Sequence, residues 1–180
     1  TIVYLIKENY MKDKNITPNK YSNFKIVGYP DKLKSFVDYE ITAPLYVRIK
    51  ITNICNASCF FCGYASDLSD MHPTCDRTSE IPSGKVLSLI NEVADMGTPA
   101  ILFSGGGEPL VHPIAPEAFD LCYNRGLKYA LITNGQNLDA KMAQHLKHAS
   151  WVRLSMDYWD GDSLKRFRRV SPRLFEKIMT

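Results

Sequence analysis

Strand-like and helix-like segments alternate along most of this 180-residue chain. Short runs of apolar and β-branched residues predict strands, and apolar residues at every third or fourth position predict helices between them. Such alternation favours a parallel sheet, because a right-handed helical crossover returns the chain to the start of the next strand. The predicted strands cover residues 45–52, 100–104, 127–133 and 151–156.

Capping residues and glycines mark the ends of the intervening helices. Ser83 and Asp139 are predicted N-caps, because a short polar side chain accepts a hydrogen bond from the first turn. Gly97 and Gly126 are predicted to end the two helices that precede them. The predicted helices cover residues 84–96, 115–125, 140–146 and 162 to the end, with a break at Pro172.

The first part of the chain lies outside this pattern. Residues 1–44 are rich in Lys and Asn, with a short predicted helix over 29–36, and we expect an N-terminal extension. Residues 45–180 form the predicted α/β domain. The chain is 45% hydrophobic with net charge +3, which is enough apolar content for one core. No apolar run approaches the ~20 residues of a membrane span, and no signal-peptide pattern opens the sequence, so the expected location is cytoplasmic.

Chemically distinctive residues follow each predicted strand. Cys55 follows the first, the run 105–109 (Gly-Gly-Gly-Glu-Pro) follows the second, Asn134 follows the third, and Ser155 and Asp157 end the fourth. The carboxyl ends of parallel strands lie at one edge of the sheet, where ligands bind in such folds. The sequence therefore predicts a functional site at this edge.

Three closely spaced cysteines dominate that predicted site. Cys55, Cys59 and Cys62 form a C-x3-C-x2-C pattern, which differs from the common zinc and ferredoxin spacings. Three thiolates on a four-iron cluster would leave one iron free for a small molecule. A competing interpretation makes Cys75 a fourth ligand in a non-catalytic zinc or iron-sulfur protein. Disulfides are disfavoured because five cysteines are an odd number and cannot all pair within the chain. Cys122 lies in an apolar helical run that is typical of a core residue.

The cysteine pattern, with the aromatic Phe61 before its last member, resembles the signature of radical S-adenosylmethionine (SAM) enzymes. The resemblance implies a [4Fe-4S] cluster on the three cysteines, with SAM bound at the open iron through its amino and carboxylate groups. Reductive cleavage of SAM would give a 5′-deoxyadenosyl radical that abstracts hydrogen from a peptide or small-molecule substrate. The segment Gly106, Gly107, Glu108 and Pro109 resembles the family's segment for the SAM amino group.

The same resemblance implies further contacts to SAM. It assigns Ser155 and Asp157 to the ribose, Phe61 to the surroundings of the adenine, and Asn134 to SAM or substrate. Arg168 or Arg169 resembles an arginine that pairs with the SAM carboxylate. An electron donor such as flavodoxin or ferredoxin is the implied protein partner.

The implied fold is a (β/α) barrel, of which only part is visible. Radical SAM barrels usually have six β-α units, and four are predicted here, so we expect the remaining strands from a C-terminal part or another chain. The lead-in at residues 29–33 resembles the SPASM-type subgroup. The basic run 165–169 leaves nucleic-acid modification as a further alternative function.

Overall fold

The computed structural model describes residues 25–64 and 76–179. Contacts divide the chain into two units, Thr1–Ala43 and Pro44–Thr180. In the first unit, a 3-10 helix at Lys25–Gly28 precedes helix α1, Pro30–Val37. Pro30 suits the start of α1, because the first helical position needs no backbone N–H donor. The expected helix at 29–36 is therefore present, and it contains no buried residue.

The second unit contains one parallel sheet of four strands in the order β1-β2-β3-β4. Neighbouring strands pair in register, with Ile49 beside Phe103, Phe103 beside Leu131, and Thr133 beside Leu154. All four carboxyl ends therefore lie at one edge of the sheet. The strands are β1 (Val47–Ile49), β2 (Ala100–Phe103), β3 (Lys128–Thr133) and β4 (Trp151–Leu154).

Helices follow the strands in the predicted sequence order, and the predicted α/β class is confirmed. In the described residues, 25–64 and 76–179, no helix is long and apolar enough to cross a membrane. The helices of the second unit are α2 (Ser83–Asp95), α3 (Ala115–Asn124), α4 (Ala140–Leu146), α5 (Gly161–Arg168) and α6 (Leu174–Met179), with a 3-10 helix at Pro109–Val111.

The prediction that Ser83 caps α2 was wrong. Pro82 occupies the cap position, with extended backbone at φ −53° and ψ 138°, and its carbonyl accepts from the N–H groups of Lys85 and Val86 at 2.8 and 3.1 Å. The proline ring fixes this φ, and the helix starts at Ser83, one residue earlier than predicted. Asp139 is a cap as predicted, since its side chain accepts from the Met142 N–H at 2.8 Å.

Strand β1 is shorter than the predicted segment 45–52. Beyond Ile49 the chain turns to a different partner: Ile51 accepts from the N–H of Ile81, and Asn53 donates its N–H to Ser79. These bonds belong to a short antiparallel contact centred on Thr52 and Glu80. The residues that lead into Cys55 are therefore held by segment 79–81.

The core lies between α2, α3 and one face of the sheet. Every strand residue in this core belongs to the same face, and three aromatic rings fill its centre. The rings of Phe103 and Phe119 meet edge to face at 5.1 Å, and Phe119 stacks on Tyr129 at 5.7 Å. Cys122 is fully buried there, as its apolar surroundings in the sequence predicted.

Candidate functional site

The cysteine loop follows β1 and rests on the end of helix α5. The N–H groups of Ser58 and Phe60 donate to the carbonyls of Arg168 and Phe167, each at 3.2 Å. The last carbonyls of a helix have no partner within the helix, so they are available to bind another segment. Helix α5 therefore fixes the backbone around Cys59, although it lies more than 100 residues later in the chain.

Burial controls the ionisation of two thiols in this loop. Burial raises the pKa of Cys55, and it also raises the pKa of Cys59, although the nearby Arg168 acts in the opposite direction. Thiols in such surroundings resist ionisation until a positive centre stabilises the thiolate, and iron supplies that charge. The donor set of Cys55, Cys59 and Cys62 thus suits metal binding, and all three are free thiols.

The spacing of the thiols differs from that of a site for one ion. Among residues 25–64 and 76–179, no three His, Cys, Asp or Glu side chains are gathered closely enough to hold a single metal ion. A four-iron cluster binds each thiolate through a different iron, so its ligands surround a larger body. Cys75, the proposed fourth ligand of the competing interpretation, lies outside the described residues.

The glycine-rich loop after β2 packs directly against the chain that leads into Cys55. Gly107 donates its N–H to the Thr52 carbonyl and Glu108 donates to the Ile54 carbonyl, both at 2.9 Å. A Cβ atom on Gly107 would lie 2.0 Å from the Ile54 oxygen. Glycine is required here because any side chain would push the two segments apart. The loop therefore holds Glu108 close to the cysteine loop.

Glu108 is the most enclosed carboxylate of the site, with 3% of its surface exposed. Its Oε1 accepts from the Thr133 hydroxyl at 2.6 Å and the Leu110 N–H at 3.1 Å, and Oε2 accepts from the Asn134 N–H at 2.7 Å. Burial raises its pKa, while these hydrogen bonds act against that shift. A carboxylate accepts about four hydrogen bonds, so Oε2 retains capacity for one more donor, such as an ammonium group.

Asn134 connects the end of β3 to the cysteine loop. Its side-chain amide donates to Asn56 Oδ1 at 2.8 Å and contacts the sulfur of Cys55 at 4.0 Å. Its own Oδ1 accepts from the Gln136 N–H at 3.0 Å, which closes a tight turn, and Gly135 takes φ 85° in that turn. The residue thus combines the turn expected of Asn-Gly with a direct contact to a predicted metal ligand.

Arg168 joins the end of β4 to Cys59. Its Nε donates to Asp157 Oδ1 at 2.8 Å, Nη2 donates to the Ser155 carbonyl at 3.0 Å, and Nη1 donates to the Cys59 sulfur at 3.4 Å. The guanidinium also lies 5.3 Å from the ring centre of Phe61. Four predicted site residues thus meet around Cys59: Arg168, Asp157, Ser155 and Phe61.

These contacts bear on two alternatives left open by the sequence. Arg168 contacts the cysteine loop directly, and each nitrogen of its guanidinium already has one acceptor. Within the basic run 165–169, Arg168 is only 9% exposed and therefore does not contribute to a cationic surface. Protein surfaces that follow nucleic acid backbones need such cations at the surface.

Sequence reasoning missed several residues that build the site. Thr133 is buried against Glu108, and Asn56 lies between Asn134 and Asn137 with bonds of 2.8 and 3.3 Å. Their positions offered a signal, because Thr133 ends a predicted strand and Asn56 lies inside the cysteine pattern. Tyr158, whose ring centre lies 6.0 Å from the Arg168 guanidinium, gave no signal, and its buried hydroxyl has no partner in the described part of the chain.

The sequence model of the Radical SAM superfamily matches residues 49–180, which include the last residue of β1, the other three strands and all the site residues above. The chain belongs to this superfamily. Members use a [4Fe-4S] cluster and SAM. In this radical SAM chain, the cysteine loop carries thiols of the kind that bind such a cluster, and the glycine loop carries the buried carboxylate of Glu108.

Two curated relatives illustrate how much of a radical SAM protein is present. The chain is 31% identical over 144 residues to the AdoMet-dependent heme synthase of Methanosarcina barkeri, covering 76% of this chain and 38% of the relative. It is 33% identical over 144 residues to the GTP 3′,8-cyclase of Chlorobaculum tepidum, covering 75% and 41%. This radical SAM chain therefore spans less than half the length of either relative.

Solved structures agree on the fold. SuiB of Streptococcus suis, crystallised with S-adenosylmethionine, superposes with a TM-score of 0.62 at 17% identity, covering 98% of this chain and 40% of SuiB. The partial radical SAM barrel expected from the sequence is thus confirmed.

Proposed function

We propose that this chain is the SAM-binding and SAM-cleaving part of a radical SAM enzyme. When bound, the cluster supplies the electron that splits SAM into methionine and a 5′-deoxyadenosyl radical, which abstracts hydrogen from the substrate. The observation that carries the proposal is the direct docking of the Glu108 loop on the chain entering Cys55. Cys55, Cys59 and Cys62 are the proposed cluster ligands.

The surrounding residues have proposed roles in holding SAM. Glu108 accepts the SAM ammonium through Oε2, because three protein donors already fix the orientation of its carboxylate. Asp157 accepts from the ribose hydroxyls through Oδ2, since Arg168 engages its Oδ1. The Ser155 hydroxyl accepts from or donates to the ribose, since Arg168 engages only the backbone carbonyl of Ser155. Phe61, half exposed beside Cys62, offers a ring face to the adenine.

Asn134 and Arg168 complete the proposed SAM site. Asn134 contacts Cys55, so its proposed role is to orient this cluster ligand and to hold the turn beside SAM. Arg168 is the proposed partner of the SAM carboxylate, because its bonds to Asp157, Ser155 and Cys59 use only three of the five N–H donors of a guanidinium.

The proposed partners follow from the chemistry. The substrate is a small molecule or peptide, and a low-potential one-electron donor such as flavodoxin or ferredoxin reduces the cluster. The remaining barrel strands come from further sequence or another chain, which is consistent with relatives of which the match covers only 38% and 41%. Residues 1–44 are the proposed extension and 45–180 the proposed barrel part. The free thiols favour a reducing compartment, for which we propose the cytoplasm.

Anaerobic reconstitution with iron and sulfide tests this proposal. The wild-type chain should bind about four iron and four sulfide, show cluster absorbance, and release 5′-deoxyadenosine from SAM after dithionite reduction. Cys55→Ala, Cys59→Ala and Cys62→Ala should each lose the cluster, whereas Cys75→Ala should retain it. Loss of the cluster in Cys75→Ala, or binding of zinc in place of iron, would instead favour the non-catalytic four-cysteine protein.

Alkylation mapped by mass spectrometry gives an internal control. Cluster loading should protect Cys55, Cys59 and Cys62 from iodoacetamide at pH 8. Cys122 should stay unmodified with or without the cluster, because burial raises its pKa to about 12. Modification of Cys122 before unfolding would mean that the preparation had lost its core.

A further inference from the structure

The two faces of the sheet differ in chemistry. The strand residues Ile49, Phe103 and Leu131 face the core together with α2 and α3. Side chains alternate between faces along a strand, so the residues between them lie on the opposite face. By the register of the sheet, the opposite face carries Arg48, Ala100, Leu102, Lys128, Ala130, Ile132, Trp151 and Arg153. These positions include three cations and no carboxylate.

Arg48 reaches from this face toward the predicted site. Its Nη2 donates to the hydroxyl of Ser104 at 2.7 Å, and Ser104 immediately precedes the glycine loop at the carboxyl end of β2. Arg48 itself is exposed and forms no ion pair with a carboxylate in the described part of the chain. A guanidinium has five N–H donors, and a single neutral hydroxyl satisfies one of them.

Arg153 lies on the same face as Arg48, near the carboxyl end of β4, the strand at the opposite end of the sheet. It pairs in register with Ile132, one residue before Thr133 and two before Asn134. It is exposed, and within residues 25–64 and 76–179 its side chain forms neither a hydrogen bond nor an ion pair. A charged side chain on a sheet face that carries no carboxylate lacks a structural partner there, so it suits an anion arriving from solution.

We propose that Arg48 and Arg153 bind an anionic group of the substrate, either a carboxylate or a phosphate. The proposal rests on the proposed function, since it places the substrate on the sheet face opposite the core and next to the SAM loop. Arginine forms paired hydrogen bonds to both groups. Lys50 lies beyond the end of β1, and its ammonium donates to the Tyr64 hydroxyl at 2.6 Å.

Isothermal titration with pyrophosphate and with citrate tests the proposal on the 180-residue chain, both metal-free and cluster-loaded. Wild type should bind at least one probe, and the probe that binds more tightly identifies a phosphate or a carboxylate as the recognised group. Arg48→Gln and Arg153→Gln should each weaken binding by about tenfold or more, because each removes charge-assisted hydrogen bonds. Arg173→Gln is the matched control, since Arg173 is also exposed and lies outside the sheet.

Three results would overturn the proposal. Equal weakening by Arg173→Gln would mean that the probes respond to net charge alone, and absence of binding by both probes would mean that the face does not recognise anions. Competition between SAM and the probe, with weaker SAM binding in Arg48→Gln, would assign Arg48 to the SAM carboxylate instead. A chain that binds the probes as expected but assembles no cluster would contradict the proposed function and leave this anion site standing.

Discussion

Arg168 Nη1 donates a hydrogen bond to the sulfur of Cys59 over 3.4 Å. The same guanidinium is fixed by Asp157 at 2.8 Å and by the carbonyl of Ser155 at 3.0 Å. A predicted cluster ligand is therefore tied, through one buried cation, to the end of β4. Hydrogen bonds to the sulfurs and the net charge nearby are the main protein contributions to the reduction potential of an iron-sulfur cluster.

We predict that Arg168→Gln makes the cluster harder to reduce. Removing a positive charge beside Cys59 destabilises the reduced, more negative cluster, so the midpoint potential should become more negative. A tenfold change in the one-electron equilibrium corresponds to about 59 mV, and we expect a shift of that order. The measurement is a dithionite titration followed by electron paramagnetic resonance.

Asp157→Asn provides the control of opposite sign. Asparagine can still accept the hydrogen bond from Arg168 Nε, but the negative charge is gone, so the potential should become less negative. Arg168→Lys should fall between wild type and Arg168→Gln, because it keeps the charge without the planar fork. Shifts of the same sign in Arg168→Gln and Asp157→Asn would point to general disturbance of the loop rather than to charge.

Glu108→Gln should lower stability even without SAM. Gln has one oxygen in place of two, so its NH₂ group must face the N–H of either Asn134 or Leu110. A buried N–H left without an acceptor costs about 1–3 kcal/mol, and we expect the free energy of unfolding in urea to fall by that amount. SAM binding, followed by equilibrium dialysis on cluster-loaded protein, should weaken by about 1.5–3 kcal/mol.

Thr133→Val separates these two effects. It removes the hydroxyl that donates to Glu108 at 2.6 Å but keeps the carboxylate and its charge. Stability should fall while SAM affinity changes much less than in Glu108→Gln. Equal loss of SAM affinity in both variants would mean that Glu108 acts by holding the loop and does not itself bind the ammonium.

Gly107→Ala should destabilise the domain and impair cluster assembly. The added Cβ would lie 2.0 Å from the Ile54 oxygen and 2.6 Å from the carbonyl carbon of Asn53, both backbone atoms next to Cys55. Overpacking of this kind costs about 1–3 kcal/mol, measured by urea unfolding, and iron content should fall with it.

Gly84→Ala is the matched control for this variant. Gly84 lies in α2, and an added Cβ meets nothing within 4 Å. Because alanine favours helix, the free energy of unfolding should rise by about 0.5–1 kcal/mol. A Gly107→Ala protein as stable as Gly84→Ala would show that the two segments can separate freely.

The sequence predicted the sheet and the location of the site because both depend on local signals. Strand periodicity and the residues that follow each strand placed Cys55, Glu108, Asn134 and Asp157 at one edge, as the structure has them. The sequence could not predict the hydrogen-bond partners of these side chains. The bond from Arg168 to Cys59 joins residues 109 positions apart, and no periodicity encodes which of two adjacent arginines turns inward.

The predicted end of strand β1 was wrong for a related reason. The apolar alternation in 45–52 suggested one long strand, but from Ile51 onward the backbone pairs with segment 79–81. Alternation reports that a segment is extended and half-buried, and it carries no information on which neighbour supplies the hydrogen bonds. Competition between two partners for one extended segment is decided by tertiary contacts.

The outer edge of β4 should cause the 180-residue chain to associate. In the described residues β4 pairs with β3 alone, and its Trp151 and Val152 side chains are 45% and 39% exposed. An unpaired edge of a parallel sheet offers free N–H and C=O groups to another chain, and exposed apolar side chains strengthen that contact. Sedimentation velocity should therefore detect species larger than a monomer, in proportions that rise with protein concentration.

Val152→Lys should shift this distribution toward the monomer, because a charged side chain on an edge strand must be desolvated when another strand pairs with it. Met96→Lys is the control, since Met96 is 56% exposed at the end of α2, away from the sheet edge. The Met96→Lys protein should associate like wild type. A wild-type chain that stays monomeric at every concentration and still cleaves SAM would mean that four strands form a sufficient catalytic sheet, with no need for a partner at β4.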